Sequence, residues 1–274
     1  MISQIHIPVY PLNRFFEIFF YYKGAKLSHS VDRFLPNGDT EILIDFQDRP
    51  QHIYDNDSLK EIQACHHVWT SGVRTEPITI PAGTDSEMMV LMFKKGMASS
   101  FFPFPMNEIA NTVLDADLVW GSDLAILREQ MLGTQDIDER FQMAENLLLE
   151  KFTSKLMLNP CIAYAVNEMR TRPDRLSIAR MNHNIGYSQK HFIEMFKRQV
   201  GITPKAYLKI MRFQHVLMRL ENASADAVDW PAIAFDSGFY DQSHFIHDFK
   251  LFSGFTPSAY LEKSNGVRDY IPVG

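Results

Sequence analysis

Over the first half of the chain, apolar and polar positions alternate with a period of two in short stretches. After the turn chemistry of Pro36-Asn37-Gly38-Asp39, Ile42, Ile44 and Phe46 alternate with Leu43 and Asp45, the spacing of a half-buried strand. Further strands are expected over 67–73, 75–80 and 87–94, separated by Gly72, Pro77, Pro81-Ala82-Gly83 and Gly96. Short strands with turn signals between them predict a β-barrel or sandwich. From Ser122 the period becomes helical: Leu124, Leu127 and Met131 share one face, and Gly133 can end that helix. A second helix is expected over 137–158, with Phe141, Ala144, Leu148 and Phe152 on one stripe. That stripe is more than a small barrel would bury. It predicts a symmetric dimer contact or packing on the second domain, with burial in its own domain as the alternative. Asn159-Pro160 is a natural break and sets the expected boundary between a β-rich domain, 1–159, and a helical domain, 160–274.

The second half holds no convincing strand and contains an internal repeat. Residues 191–208 laid over 244–261, an offset of 53, match at 11 of 18 positions. Each copy has the same punctuation. In the first, Ser177 caps a short helix that Gly186 ends, and Ser188 caps a second helix that Gly201 ends. In the second, Asp229 and Asp241 cap while Gly238 and Gly254 stop. Thr203-Pro204 and Thr256-Pro257 each open a further helix. Two short helices joined by a tight turn form a helix-turn-helix, whose second helix enters the major groove of DNA. Phe192, Met195 and Phe196, and Phe245 and Phe249, must face the core. The DNA-facing candidates are then Gln189, Lys190, Ile193, Glu194 and Lys197 in copy one, and Gln242, Ser243, Ile246, His247 and Lys250 in copy two. Gln, Ser and Lys reach base edges, while Lys197 and Lys250 are placed for phosphates.

Charge at first opposes this reading, because the whole chain carries −6. The balance is uneven, however: 1–159 hold 13 Lys and Arg against 22 Asp and Glu, and 160–274 hold 14 against 11. That leaves −9 on one side and a mild +3 on the other, an asymmetry that suggests domains with different partners. Cys65 and Cys161 are too far apart in sequence for a paired zinc motif and read as small apolar residues. His29, His52, His66 and His67 lack the spacing of a metal site, so no metal and no cofactor is expected. No apolar run approaches the roughly 18 residues of a membrane span, and Met1-Ile2-Ser3-Gln4-Ile5-His6 is not a secretory start. A reducing cytoplasm is the expected location. No nucleophile elbow, P-loop or dinucleotide glycine run is present, so no catalytic residue is expected. Asp115/Asp117 and Asp136/Asp138 sit at expected helix starts, where they complement the dipole.

The stretch from Trp230 to Tyr260 resembles the C-terminal pattern of the AraC/XylS family of bacterial transcription regulators. The matching pieces are Ile233-Ala234, Gly238-Phe239, Gln242-Ser243, Phe245, Phe249-Lys250, Gly254 and Thr256-Pro257. The resemblance spans about 160–264. It implies two helix-turn-helix units joined by a linker helix near 204–220, docked in successive major-groove segments. Copy one departs at Met181-Asn182, where the family has Leu-Ala, and an Asn against a packed helix needs a partner. More weakly, Phe34-Leu35-Pro36-Asn37-Gly38-Asp39 and Val90-Leu91-Met92-Phe93 resemble a sensor-like domain that precedes this module. The fold class expected is therefore α+β, a barrel-like regulatory domain with flanking helices followed by an all-α DNA-binding domain. The function expected is a sequence-specific transcription regulator and not an enzyme, with double-stranded DNA as partner. A small-molecule effector and a homodimer contact stay open, and no membrane partner is expected. The competing reading is a barrel-type ligand-binding protein or enzyme whose helical tail serves protein contacts.

Overall fold

In a computed structural model that describes residues 2–24, 29–83, 85–221, 228–264 and 266–273, the N-terminal half builds two antiparallel sheets. Its strands are β1 (Ile2–His6), β2 (Phe16–Lys23), β3 (Val31–Phe34), β4 (Glu41–Asp45), β5 (Gln51–Tyr54), β6 (Glu61–Cys65), β7 (Val68–Ser71), β8 (Ile78–Pro81), β9 (Glu87–Phe93) and β10 (Val113–Asp115). A last strand, β11 (Tyr270–Pro272), comes from the far end of the chain. One sheet runs β1-β2-β9-β4-β7-β10 and the other β11-β3-β8-β5-β6. Neither closes, so the architecture is barrel-like only in its two-layer packing.

Period-two sequence decides which side of the central sheet each residue serves. Ile42 and Ile44 of β4, with Met89, Leu91 and Phe93 of β9, point to the helices that cover one face. Leu43 and Met88 point the other way, toward Ile53, Cys65, Trp69 and Val113 between the sheets. The helical face is filled by aromatic rings. Phe16 stacks on Phe93 at 4.2 Å, and Phe101 meets Phe16 edge-on at 4.9 Å. Each such ring contributes about 2–3 kcal/mol by leaving water. The gap between Ile42, Phe101, Trp120 and Phe152 holds only about 10 Å³, too little for an effector.

The covering helices are α1 (Asp117–Trp120), α2 (Asp123–Leu132) and α3 (Ile137–Phe152). Asp136 caps α3 by accepting from the backbone of Asp138 and Glu139, as helix-start carboxylates do. Two sequence expectations are corrected here. First, α3 stops at Phe152 and not near 158; the Thr153 hydroxyl donates to the Leu149 carbonyl at 2.5 Å, and the chain then makes a 3-10 turn to Lys155. Second, the apolar stripe is absorbed at home. Phe141, Ala144 and Leu148 are buried in the sheet-facing core, with Leu147, Leu149 and Phe152 packed against it. The stripe therefore supplies no argument for a dimer contact.

The C-terminal half is helical: α4 (Pro160–Thr171), α5 (Ile178–Ile185), α6 (Gln189–Val200), α7 (Pro204–Leu220), α8 (Trp230–Asp236), α9 (Gln242–Ser253) and α10 (Pro257–Lys263). The strand β11 corrects the expectation of a strand-free second half. Three residues carry no period of their own, and β11 exists because β3 offers a free edge, pairing Tyr270 with Phe34 and Ile271 with Arg33. The tail thus returns to the N-terminal sheets.

The two halves share a continuous contact. Leu35 and Val73 enter the apolar core of the helical half beside Tyr207 and Ile271. The turn at 36–39 lies on α7: Gln214 donates to the Pro36 carbonyl at 2.9 Å. Gly38, at φ +84°, leaves Tyr207 and Met211 only 3.1 and 3.0 Å from where a Cβ would stand. Lys95 pairs with Asp39 beneath that turn. Burial pushes Asp39 up despite Lys95, and burial with Asp39 alongside pushes Glu41 up to about 7.

Candidate nucleic-acid interface

Unit one is built as its caps dictate. Asn159 caps α4 through the backbone of Cys161 and Ile162, and Ser177 caps α5 through Arg180. Gly186 then takes the left-handed conformation at φ +83°, Ser188 caps α6 through His191, and Gly201 ends it at φ +103°. Asn182 finds its partner inside the turn, donating to the Tyr187 carbonyl at 3.0 Å. Phe192 and Phe196 are wholly buried, while Met195 is half-buried on a flank.

Unit two repeats the pattern with other side chains. Asp229 caps α8 through Ala232, Asp241 caps α9 through His244, and Gly254 ends α9 at φ +79°. Phe245 and Phe249 anchor α9; Phe249 meets Phe213 of α7 edge-on at 5.1 Å and Tyr260 of α10 at 5.4 Å. Buried Asp248, also on α9, pairs with Lys209 of α7 at 2.9 Å and with His244 at 3.2 Å. Arg219 of α7 pairs with Asp236 of α8 at 2.9 Å.

The linker helix α7, with Thr203 as cap and Pro204 in its first turn, spans about 25 Å at 1.5 Å per residue. Phe192, Phe196, Ile210, Phe213, Phe245 and Phe249 belong to one core cluster that runs through both units. Close-packed interiors are stiff, so α6 and α9 are held at a fixed separation. Burial and the neighbouring Arg219 hold His215 of α7 below the ordinary histidine value, which keeps it neutral inside the linker.

On α9 the sequence candidates Gln242, Ser243, Ile246, His247 and Lys250 all lie on the exposed face. On α6, Gln189, Lys190 and Glu194 are exposed, while Ile193 and Lys197 are half-buried. Another side of α6 has a neighbour that the sequence does not show. The 3-10 turns at 98–101 and 106–108 pack against α6. Between them and the helix lies a groove of about 560 Å³, walled by Phe102, Pro103, Phe104 and Pro105 on one side. His191, Glu194, Met195, Arg198 and Gln199 wall the other. Sequence reasoning missed this flank because its partners are some 90 residues away. Among the described residues no group of three or more His, Cys, Asp or Glu gathers into a metal site. His66 and His67 sit in the turn before β7, and His67 faces Asp48.

Comparison with known families matches residues 181–263 to a helix-turn-helix domain model. Over those residues the chain is an AraC-type helix-turn-helix domain. Residues 4–115 match a domain of unknown function, DUF6597. A curated relative of the AraC-type part is the HTH-type transcriptional activator AarP of Providencia stuartii. It is 26% identical over 98 residues, which are 36% of this chain and 70% of AarP. Among solved structures, ToxT of Vibrio cholerae aligns over 89% of this chain and 97% of its own, at 12% identity and a TM-score of 0.47. A second ToxT structure, with an unsaturated fatty acid bound, covers 91% and 96% at 14% identity and a TM-score of 0.45. No helix among the described residues is long and apolar enough to cross a membrane.

Proposed function

We propose that this chain is a cytoplasmic, sequence-specific DNA-binding transcription regulator that reads two adjoining segments of duplex DNA. The observation that carries the proposal is the repeat itself. Two capped helix-turn-helix units share one core, and each offers a second helix whose outer face holds Gln and Lys side chains, with Ser243 and His247 added on α9. In this reading Gln242 and Ser243 contact base edges from the first turn of α9, where a recognition helix approaches the groove. Lys250, further along, meets phosphate. Gln189, Lys190, Ile193, Glu194 and Lys197 form the weaker reader: Ile193 suits a thymine methyl, and Glu194 accepts from cytosine but repels phosphates. The functional division falls at Asn159, with 1–159 as the regulatory part. A small-molecule input has a place to act in the groove beside α6, where a bound molecule would touch both halves at once. A homodimer is a further element of the proposal without a face assigned to it.

Selection from random duplex DNA at moderate salt, with sequencing of the bound fraction, tests the reading. An enriched motif of two segments spaced by about one helical turn is expected. Recovery of no motif would sink it.

A further inference from the structure

The turn of unit two is one residue longer than the turn of unit one, and that residue is conspicuous. In unit one, Gly186, Tyr187 and the cap Ser188 join α5 to α6. In unit two, Gly238 is followed by Phe239, Tyr240 and the cap Asp241. Tyr187 and Phe239 are equivalents, because each follows the turn glycine and meets the histidine three residues past the cap edge-on. Tyr187 lies 4.8 Å from His191, and Phe239 lies 5.7 Å from His244. Tyr240 is therefore the extra residue of the longer turn. Its side chain is 93% exposed, and Phe235, in the last turn of α8, is 80% exposed. The Phe235 carbonyl accepts from Gly238 at 3.0 Å, so both aromatics flank the same turn.

We infer that Tyr240, with Phe235 beside the same turn, is a DNA-backbone anchor for unit two, the phenol donating to a phosphate and the rings covering the adjoining sugars. The inference rests on the DNA reading of α9 and deepens it. Tyr240 stands two residues before Gln242, so its Cα lies within about 7.6 Å of that of Gln242. A turn that delivers Gln242 to base edges must bring Tyr240 to the rim of the groove. Tyr is among the side chains that contact phosphate. Charge explains the need for such an anchor. The leading end of α9 carries Gln242, Ser243 and the cap Asp241, and its one lysine, Lys250, comes in the last turn. A neutral hydroxyl holds backbone there without a cation next to Asp241. Among the described residues nothing covers the Tyr240 ring, and large exposed aromatics mark contact surfaces.

The test uses the full chain and the duplex obtained by selection. Nitration of tyrosines by tetranitromethane, read by mass spectrometry with and without duplex, should show Tyr240 slowed several-fold. Tyr10, 72% exposed in the other half, is the internal control and should react at one rate throughout. Tyr240→Ala should weaken selected and random duplexes alike by about tenfold, the scale of one hydrogen bond to a charged group. The salt slope should not change, because no cation is lost. Tyr240→Phe should recover the part of the loss that the ring supplies. Equal nitration of Tyr240 with and without duplex overturns the inference, and a Tyr240→Ala variant of wild-type affinity does so too. Gln242→Ala separates the two levels of argument. If it alters base preference while Tyr240 stays reactive, α9 docks and the anchor assignment alone fails. If it is silent as well, the DNA reading of α9 fails with it.

Discussion

The Lys209–Asp248 pair ties the linker helix to the second recognition helix, and its two ends are buried to different extents. The Asp248 side chain is 1% exposed and that of Lys209 30% exposed, with Nζ and Oδ1 2.9 Å apart. Lys209→Met keeps an apolar stem but strands a carboxylate away from water. Breaking a buried pair costs about 3–5 kcal/mol, and His244, 3.2 Å from Oδ2, softens the loss, which places the cost near 3 kcal/mol. Asp248→Asn leaves an ammonium that turns outward to solvent, so its cost is one charge-assisted hydrogen bond, about 1–2 kcal/mol. The double variant strands no charge and should cost about 2–3 kcal/mol, giving a coupling of about 2 kcal/mol. Urea unfolding of the four full-length proteins, followed by far-UV circular dichroism near neutral pH, measures all three numbers. The reasoning fails if Lys209→Met costs no more than Asp248→Asn. It fails equally if the two losses add within about 0.5 kcal/mol.

Glu41, pushed up to about 7 from its ordinary 4.5, holds a proton in the folded chain that the unfolded chain releases. Stability therefore falls as pH rises between those two values. Glu41→Gln should flatten that part of the Tm profile and raise Tm above neutrality, and an unchanged difference profile would refute the assignment. Gly38→Ala and Gly24→Ala both force an alanine into the left-handed region, at φ +84° and +71°, but only Gly38 has atoms of α7 within contact distance. Both should lose about 1–2 kcal/mol; Gly38→Ala should lose more, and equal losses in urea unfolding would mean that the turn does not bear on α7. Gln242→Ala should relax base preference at one or two pairs, a discrimination of about 1–3 kcal/mol. Lys250→Ala should weaken every duplex alike and flatten the salt slope by about one; the reverse pattern in selection and salt titration would exchange the two roles.

The parts of the fold that show in the sequence are those fixed by local chemistry. Ser177, Ser188, Thr203, Asp229, Asp241 and Thr256 each cap the helix that their spacing predicts. A side-chain oxygen bonding a backbone N–H three residues on needs no knowledge of the rest of the chain. Strands depend on partners instead. β2, Phe-Glu-Ile-Phe-Phe-Tyr-Tyr-Lys, is apolar on both sides because it lies between β1 and β9 with layers above and below, so alternation fails to mark it. β5 and β6 have weak patterns and exist through register with each other and with β8. The surplus apolar stripe of α3 was misleading for the same reason: the face of the central sheet that needed covering is assembled from four separated strands. On the interface, the exposed face of α9 followed from helical spacing alone. The groove that His191, Glu194 and Arg198 of α6 share with Phe102 and Phe104 did not, since its other wall comes from far earlier in the chain.

That last difference bears on how the two units divide the work. On α9 the whole outer face is open to solvent, and its scaffold is α7, α8 and α10. On α6 one flank is occupied by the N-terminal half, and Glu194 stands on the edge shared by that flank and the DNA-facing side. The N-terminal half therefore touches α6 through those turns, and it touches the end of α9 where Arg33 of β3 lies over the Phe255 ring at 5.2 Å. The common core leaves α7 no soft joint in which to absorb a displacement. Shifting the turns at 98–108 would thus move the flank of α6 and leave the separation of α6 and α9 unchanged. The acidic balance of that half acts in the same place, because charge effects in physiological salt fade beyond about 8 Å. Repulsion of phosphate is therefore confined to the places where that half adjoins the helices, such as the flank of α6. In the reading proposed above, the turns at 98–108 bear on unit one and Arg33 bears on unit two, so each helix-turn-helix has its own contact with the N-terminal half.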